Sequence, residues 1–188
     1  MRIGITGGIG SGKSYVCKYL AQRGIEVYDC DSAAKRLVRT DPAIRESLTR
    51  LIGPDAYTAD GTYNKAVVAR FLLASEEHKQ AINAIIHPAV FSDFLASGIQ
   101  WVESAILFEC GLNRLTDRNI VVTAPDELRV RRIMERDAIT REQAEAWIRR
   151  QWSQQHLREL ADFEIVNDGQ ADINEQINQI ILQCKKPF

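Results

Sequence analysis

Two rhythms of apolar residues alternate along the chain. Short, dense runs at 2–6, 25–29, 101–109, 120–123 and 163–166 have the length of strands, and the run at 101–109 is apolar enough for a central parallel strand. Between them the apolar positions fall three and four apart, as on one face of a helix. Val16, Tyr19 and Leu20 run to a stop at Gly24, and Ile44, Leu48, Leu51 and Ile52 follow the helix-start pair Asp41-Pro42 and end at Gly53. Asn64 can cap a helix over 66–74 and Ser75 one over 76–86. His87-Pro88 is read as a break, with a further helix over 89–96 closed by Gly98. Pro125 precedes a helix through Leu128, Ile133 and Met134, Thr140 and Gln143 form a capping box, and Ile173, Ile177, Ile180, Ile181 and Cys184 make a last amphipathic stripe.

Strands alternating with helices specify an α/β chain with a parallel sheet. The stretch between the second and third strands is too long for a simple crossover, so 32–98 is read as a helical insert suited to a second substrate. The sheet-bearing core is expected at 1–31, 99–124 and 160–188, with an arginine-rich helical lid region at 125–159.

Composition narrows this picture without changing it. The 188 residues are 45% hydrophobic, enough for one good core, and the net charge of −1 supplies no global attraction to nucleic acid or an anionic membrane. No apolar run approaches the length of a membrane span, and the chain enters its first strand without a signal sequence, which is read as a cytoplasmic location. Cys17, Cys30, Cys110 and Cys184 lack metal-ligand spacing and are read as reduced thiols.

The chemistry is concentrated after the first strand. Gly7-Gly8-Ile9-Gly10-Ser11-Gly12-Lys13-Ser14 fits G-x-x-x-x-G-K-[ST], a backbone cradle for a polyphosphate at a helix N-terminus. Glycine lets the backbone approach the anion, Lys13 meets the outer phosphates, and the Ser14 hydroxyl suits Mg2+. The second strand ends in Asp29-Cys30-Asp31. If extended geometry persists, both carboxylates face one way, one for the metal shell and one to accept a proton from a hydroxyl; Asp31 as the N-cap of a helix starting at Ser32 is the other reading. The arginines between 129 and 150 fit either a solvated helix face or a closing segment that stabilises a transferring phosphoryl group, Arg132 and Arg136 sharing a face. His87 is read as a helix-junction residue or a substrate contact, and Glu109 as a functional or merely polar strand end. The turn Asn167-Asp168-Gly169 lies where its backbone could meet a base, and Trp101, Trp147 and Trp152 are read as packing residues. No D-x-x-G follows a strand and no N-K-x-D is present, which disfavours guanine-nucleotide switches. A nucleoside or nucleotide kinase and a nucleotide-dependent switch protein remain the alternatives to a small-molecule kinase.

The phosphate loop, Asp29-Cys30-Asp31, His87-Pro88, Leu107-Phe108-Glu109, Arg132 to Asp137 and Asn167-Asp168-Gly169, in that order, resemble the dephospho-coenzyme A kinase family over nearly the whole chain. The resemblance implies a three-layer P-loop fold with a five-stranded parallel sheet, a helical coenzyme-binding insert and a helical lid. It implies transfer of the ATP γ-phosphoryl group, with Mg2+, to the ribose 3′-hydroxyl of dephospho-coenzyme A, a small-molecule partner. By position, it implies that Gly7, Gly8 and the residues Gly10, Ser11, Gly12, Lys13, Ser14 and Tyr15 hold ATP, with Ser14 and Asp29 at the metal. It further implies that Asp31 is the base, that Asp29, His87, Leu107 and Glu109 serve the acceptor, that Arg132 and Arg136 serve the lid, and that Asn167 and Gly169 border adenine. Tyr15 and Cys30 depart from the Thr and Ala usual there.

Overall fold

The computed structural model describes residues 1–184. Among them, five strands, β1 (Ile3–Thr6), β2 (Val27–Asp29), β3 (Trp101–Glu103), β4 (Arg118–Thr123) and β5 (Phe163–Val166), form one sheet in the order β2-β3-β1-β4-β5. β1 runs parallel to both neighbours, with Ile3 opposite Trp101 on one side and Arg118 on the other, and β4 runs parallel to β5. Because β1 lies between two partners, all four of its residues are buried, and the loop that follows it leaves from the middle of the sheet. One face is sealed by α1 (Lys13–Gln22) and α9 (Ile173–Cys184): Val16 and Leu20 from the first and Ile173, Ile177 and Ile180 from the second pack with Ile3, Ile5, Ile120, Val122 and Ile165. Each such side chain is worth about 1.5–3 kcal/mol of transfer free energy, which is why a mostly apolar strand set demands these two stripes. α6 (Asp126–Asp137) and α7 (Arg141–Arg149) form a hairpin with its own small core of Val130, Ile133 and Ala144, and α8 (Gln154–Leu160), absent from the sequence reading, lies against β4.

The chain divides into two compact units, one comprising 1–28 and 99–188 and the other 29–98. In the second, α2 (Cys30–Thr40), α3 (Pro42–Ile52) and α4 (Lys65–Ala74) each pack on the long α5 (Glu76–Ser97). The caps are those the sequence offered: Asp41 accepts from Ala43 and Ile44 N–H, Asn64 from Val67 and Ser75 from His78. Between α3 and α4 the Tyr57 hydroxyl donates to the Val38 carbonyl at 2.7 Å, with the Arg45 guanidinium 5.0 Å from its ring centroid.

Two expectations fail here for stated reasons. His87-Pro88 does not break the helix: α5 runs unbroken through Pro88, burying Ile82, Val90 and Phe94. A proline inside a helix costs about 3 kcal/mol, and the burial of those three side chains exceeds it. The strand expected over 101–109 stops at Glu103. Ser104 N–H still donates to the Ile5 carbonyl at 3.0 Å, one residue before β1 ends at Thr6 and gives way to its loop. The Ser104 hydroxyl then accepts from Ile106 N–H at 3.3 Å, and 105–110 turns.

Gly4 shows how closely this sheet is packed. A Cβ there would lie 2.6 Å from Asn119 Oδ1 and 2.9 Å from Leu107 Cδ2. Gly4→Ala is therefore expected to destabilise the fold by about 1–3 kcal/mol through overpacking, read as a lowered midpoint in urea unfolding with an unchanged m-value.

Candidate active site

β1 delivers Thr6 to a loop whose glycines adopt conformations closed to other residues, with φ of 150° at Gly7, 78° at Gly10 and 94° at Gly12. Gly12 is also sterically obligatory, since its Cβ would stand 2.0 Å from Asn167 Nδ2. α1 begins at Lys13, so the N–H groups of Lys13 and Ser14 have no intrahelical acceptor and are available to an anion. Lys13 folds back across the loop: Nζ donates to the Gly7 carbonyl at 2.8 Å and lies 3.8 Å from Glu103 Oε1, both side chains being nearly buried. Burial lowers the Lys13 pKa, and the Glu103 carboxylate acts against that lowering. Among the described residues, Thr6 Oγ1 and Ser11 Oγ are buried without a hydrogen-bond partner. Such groups cost about 1–3 kcal/mol each, and their concentration around this loop marks it as shaped for something other than stability.

The outer side of the loop is held by cations. Arg129, only 3% exposed, donates from Nε to the Ile9 carbonyl at 3.0 Å and pairs with Asp126 at 2.9 Å. Arg132 Nη1 reaches the Gly10 and Ser11 carbonyls at 3.2 and 3.3 Å, and Nη2 reaches the Asn167 carbonyl and Oδ1, each at 3.2 Å. Asn167 Nδ2 closes the circuit on the Ser11 carbonyl at 2.9 Å. Burial, and the neighbouring Arg131, lower the Arg132 pKa. Arg136 remains exposed, bound to Asp137 at 2.7 Å. Lys13, Ser14, Arg132, Arg136 and Gln151 line a cavity of about 420 Å3 at the loop mouth. A wider groove of about 610 Å3 runs along another face of α6, past Leu128, Arg131, Met134 and Asp168. It is the larger of the two but holds none of the phosphate-loop residues.

Several sequence expectations are altered by this geometry. Asp29 and Asp31 do not face one way, because extended backbone ends at Asp29. Asp29, not Asp31, is the N-cap of α2, accepting from Asp31 and Ser32 N–H at 2.9 and 3.1 Å and from the Ser32 hydroxyl at 2.7 Å. Asp31 sits in the first turn, exposed and ion-paired to Lys35 one turn on. Leu107, expected in an acceptor pocket, is fully buried against Gly4 because the chain turns inward after β3. Glu109 does not end a strand; it lies at the surface of the turn, where partial desolvation raises its pKa. His87 lies within α5 near Phe91, and burial lowers its pKa. The Tyr15 hydroxyl, exposed, is 2.9 Å from that of Tyr19. Gly169 has φ 85° and open space around it, in a turn fixed by Asp168 accepting from Gln170 and Ala171 N–H.

Glu103 and Gln151 escaped the sequence reading, and Arg129 was read only as one of the arginine cluster. A lone carboxylate inside the apolar run 101–108 was a signal for Glu103, and the 129/132/136 spacing placed Arg129 on the stripe of the other two; nothing in the sequence singled out Gln151. Among the described residues, no group of three or more His, Cys, Asp or Glu is disposed to cage a metal. The Ser14 hydroxyl and the Glu103 carboxylate, the latter beside Lys13, are oxygen donors of a kind that suits Mg2+, which keeps most of its water and takes one or two protein oxygens beside phosphate.

A family profile described as dephospho-CoA kinase matches residues 1–172. The dephospho-CoA kinase of Bacteroides fragilis (strain YCH46) is 41% identical over 192 aligned positions, covering 96% of this chain and 91% of that protein. Of solved structures, TT1252 from Thermus thermophilus superposes with a TM-score of 0.84 at 31% identity, covering 100% of this chain and 98% of its own. The dephospho-CoA kinase from Campylobacter jejuni shares the fold, with a TM-score of 0.68 at 21% identity over 97% of this chain and 96% of that one.

Removing the carboxylate beside Lys13 takes away the largest influence that opposes burial. Glu103→Gln is expected to lower the Lys13 pKa further, so that ADP affinity, which needs the ammonium, is lost as pH rises and is lost at lower pH than in the wild type. Titration calorimetry across the alkaline range checks this, and coincident pH profiles would refute it.

Proposed function

The chain belongs to the dephospho-CoA kinase family, whose ATP-dependent reaction completes coenzyme A biosynthesis, and we propose how its residues divide that work. The observation that carries the assignment is the loop itself: amide donors and Lys13 on its inner side, and carbonyls turned outward to Arg129, Arg132 and Asn167. That arrangement suits a nucleoside triphosphate tail. The amides of Lys13 and Ser14 and the Lys13 ammonium bind and orient the phosphates, and Arg136, lining the cavity mouth with its guanidinium exposed, meets the charge that spreads over the transferring group. Mg2+, taken up by Ser14 and Glu103, would neutralise phosphate charge and help align the chain of oxygens. Asp29 is less suited to the metal, since its oxygens are engaged in capping α2.

Asp31 takes the proton of the 3′-hydroxyl. It stands at the start of a helix with its carboxylate exposed, and its partner Lys35 is a surface lysine that an approaching substrate can displace at little cost. His87, kept neutral by burial, serves the acceptor within the helical unit as a hydrogen-bonding imidazole. The groove beside Arg131, Leu128 and Asp168 offers an apolar wall and a guanidinium plane to the adenine base, next to the turn formed by Asn167 and Gly169. Residues 125–159 close over the nucleotide as the lid, and the reaction takes place in the cytoplasm. Keeping water from the phosphoryl group is what separates such a kinase from an ATPase.

Purified protein given Mg-ATP and dephospho-coenzyme A should yield ADP and coenzyme A in equal amounts; phosphorylation of nucleoside monophosphates with no turnover of dephospho-coenzyme A would overturn the assignment. Asp31→Asn should reduce kcat by about 100-fold or more while ATP affinity changes less than about threefold. A variant with a lowered melting temperature and near-normal kcat would reduce Asp31 to a first-turn helix residue.

A further inference from the structure

Ile9, at the apex of the phosphate loop, is held at three points by the α6–α7 hairpin and by Gln151, two residues past its end. Its N–H donates to Gln151 Oε1 at 2.7 Å, its carbonyl accepts from Arg129 Nε at 3.0 Å, and its side chain packs with Val130, Ile133 and Ala144. Gln151 is itself fixed, its N–H donating to the Ile148 carbonyl at 3.1 Å, and Arg129 is fixed by Asp126. Two loop glycines outside the fixed positions of the motif make room for this clasp. A Cβ on Gly8 would lie 2.3 Å from Arg129 Nη2 and 3.4 Å from Gln151 Oε1, and one on Gly10 would lie 2.8 Å from the Arg129 carbonyl. Gly8 and Gly10 therefore serve the approach of the hairpin.

We propose that Arg129 and Gln151 are positioning residues that hold the phosphate loop in its anion-binding shape through the two peptide groups flanking Ile9, with the Ile9 side chain as the pin that ties the loop to the hairpin. A peptide chain with three glycines at φ well above zero has many competing conformations, and each one that turns an amide outward removes a donor from the cradle. The clasp removes those alternatives before nucleotide arrives, so its contribution appears as nucleotide affinity. Neither residue needs to touch the transferring group. Arg129 is bonded to the backbone and to Asp126, and Gln151 spends its side-chain carbonyl on Ile9.

This inference rests on the kinase reading, and the test separates the two, because ADP affinity is measured without any acceptor while wild-type turnover of dephospho-coenzyme A is assayed independently. In the full chain, Gln151→Met keeps the length of the side chain and removes the acceptor. The expected result is an ADP dissociation constant and a KM for ATP raised about tenfold, the worth of one hydrogen bond. The KM for dephospho-coenzyme A and the melting temperature should stay at wild-type values. Arg129→Met should weaken ADP binding more than Arg129→Lys, which retains one donor for the Ile9 carbonyl. ADP affinity within twofold of wild type in Gln151→Met would overturn the proposal. So would a rise in both KM values together with a lowered melting temperature, which is the signature of general unfolding.

Discussion

A peptide group has two ends, and a loop that turns its N–H groups toward phosphate must turn carbonyl oxygens somewhere else. In a buried setting those oxygens cannot be left without donors. The structure answers Ile9, Gly10 and Ser11 with Arg129, Arg132 and Asn167, while Lys13 takes the Gly7 carbonyl from the inner side. Much of what surrounds the loop follows from this requirement: the burial of an arginine in α6, the placing of Asn167 at the end of β5, and the packing of the α6–α7 hairpin onto the loop apex. The sheet has to supply the right distances, and it does so by putting β1 between β3, which brings Glu103, and β4, which leads into α6.

The α/β class, the phosphate loop and most helix caps were legible because each depends on local chemistry: a glycine pattern, an Asp before a Pro, a Thr three residues before a Gln. The misread segments depend on partners elsewhere in the chain. An apolar run from 101 to 109 does not reveal that β1, its neighbour in the sheet, stops at Thr6, and Pro88 signals a break only until the burial along α5 is weighed against it. Asp29 and Asp31 are both plausible caps, and only the backbone at Asp29, φ −91° and ψ 106°, decides which of them it is.

The arginines show the same division at the level of single residues. Spacing alone put Arg132 and Arg136 on one face, but it did not distinguish a guanidinium committed to loop carbonyls from one left exposed at the cavity mouth. The hydrogen bonds make that distinction: Arg129 and Arg132 give guanidinium N–H groups to loop carbonyls, whereas Arg136 stays exposed and pairs only with its neighbour Asp137 among the contacts described. Gln151, an uncharged residue in no motif, carries a contact as specific as any of these, and only its 2.7 Å bond to Ile9 reveals it.

One consequence concerns protons. The groups that brace the loop carbonyls from outside are two guanidiniums and an amide, side-chain types that keep one protonation state across the physiological range. Alkalinity can therefore reach Lys13, whose pKa burial lowers, without deforming the frame that presents it. The loop thus mounts a titratable lysine on a proton-blind support.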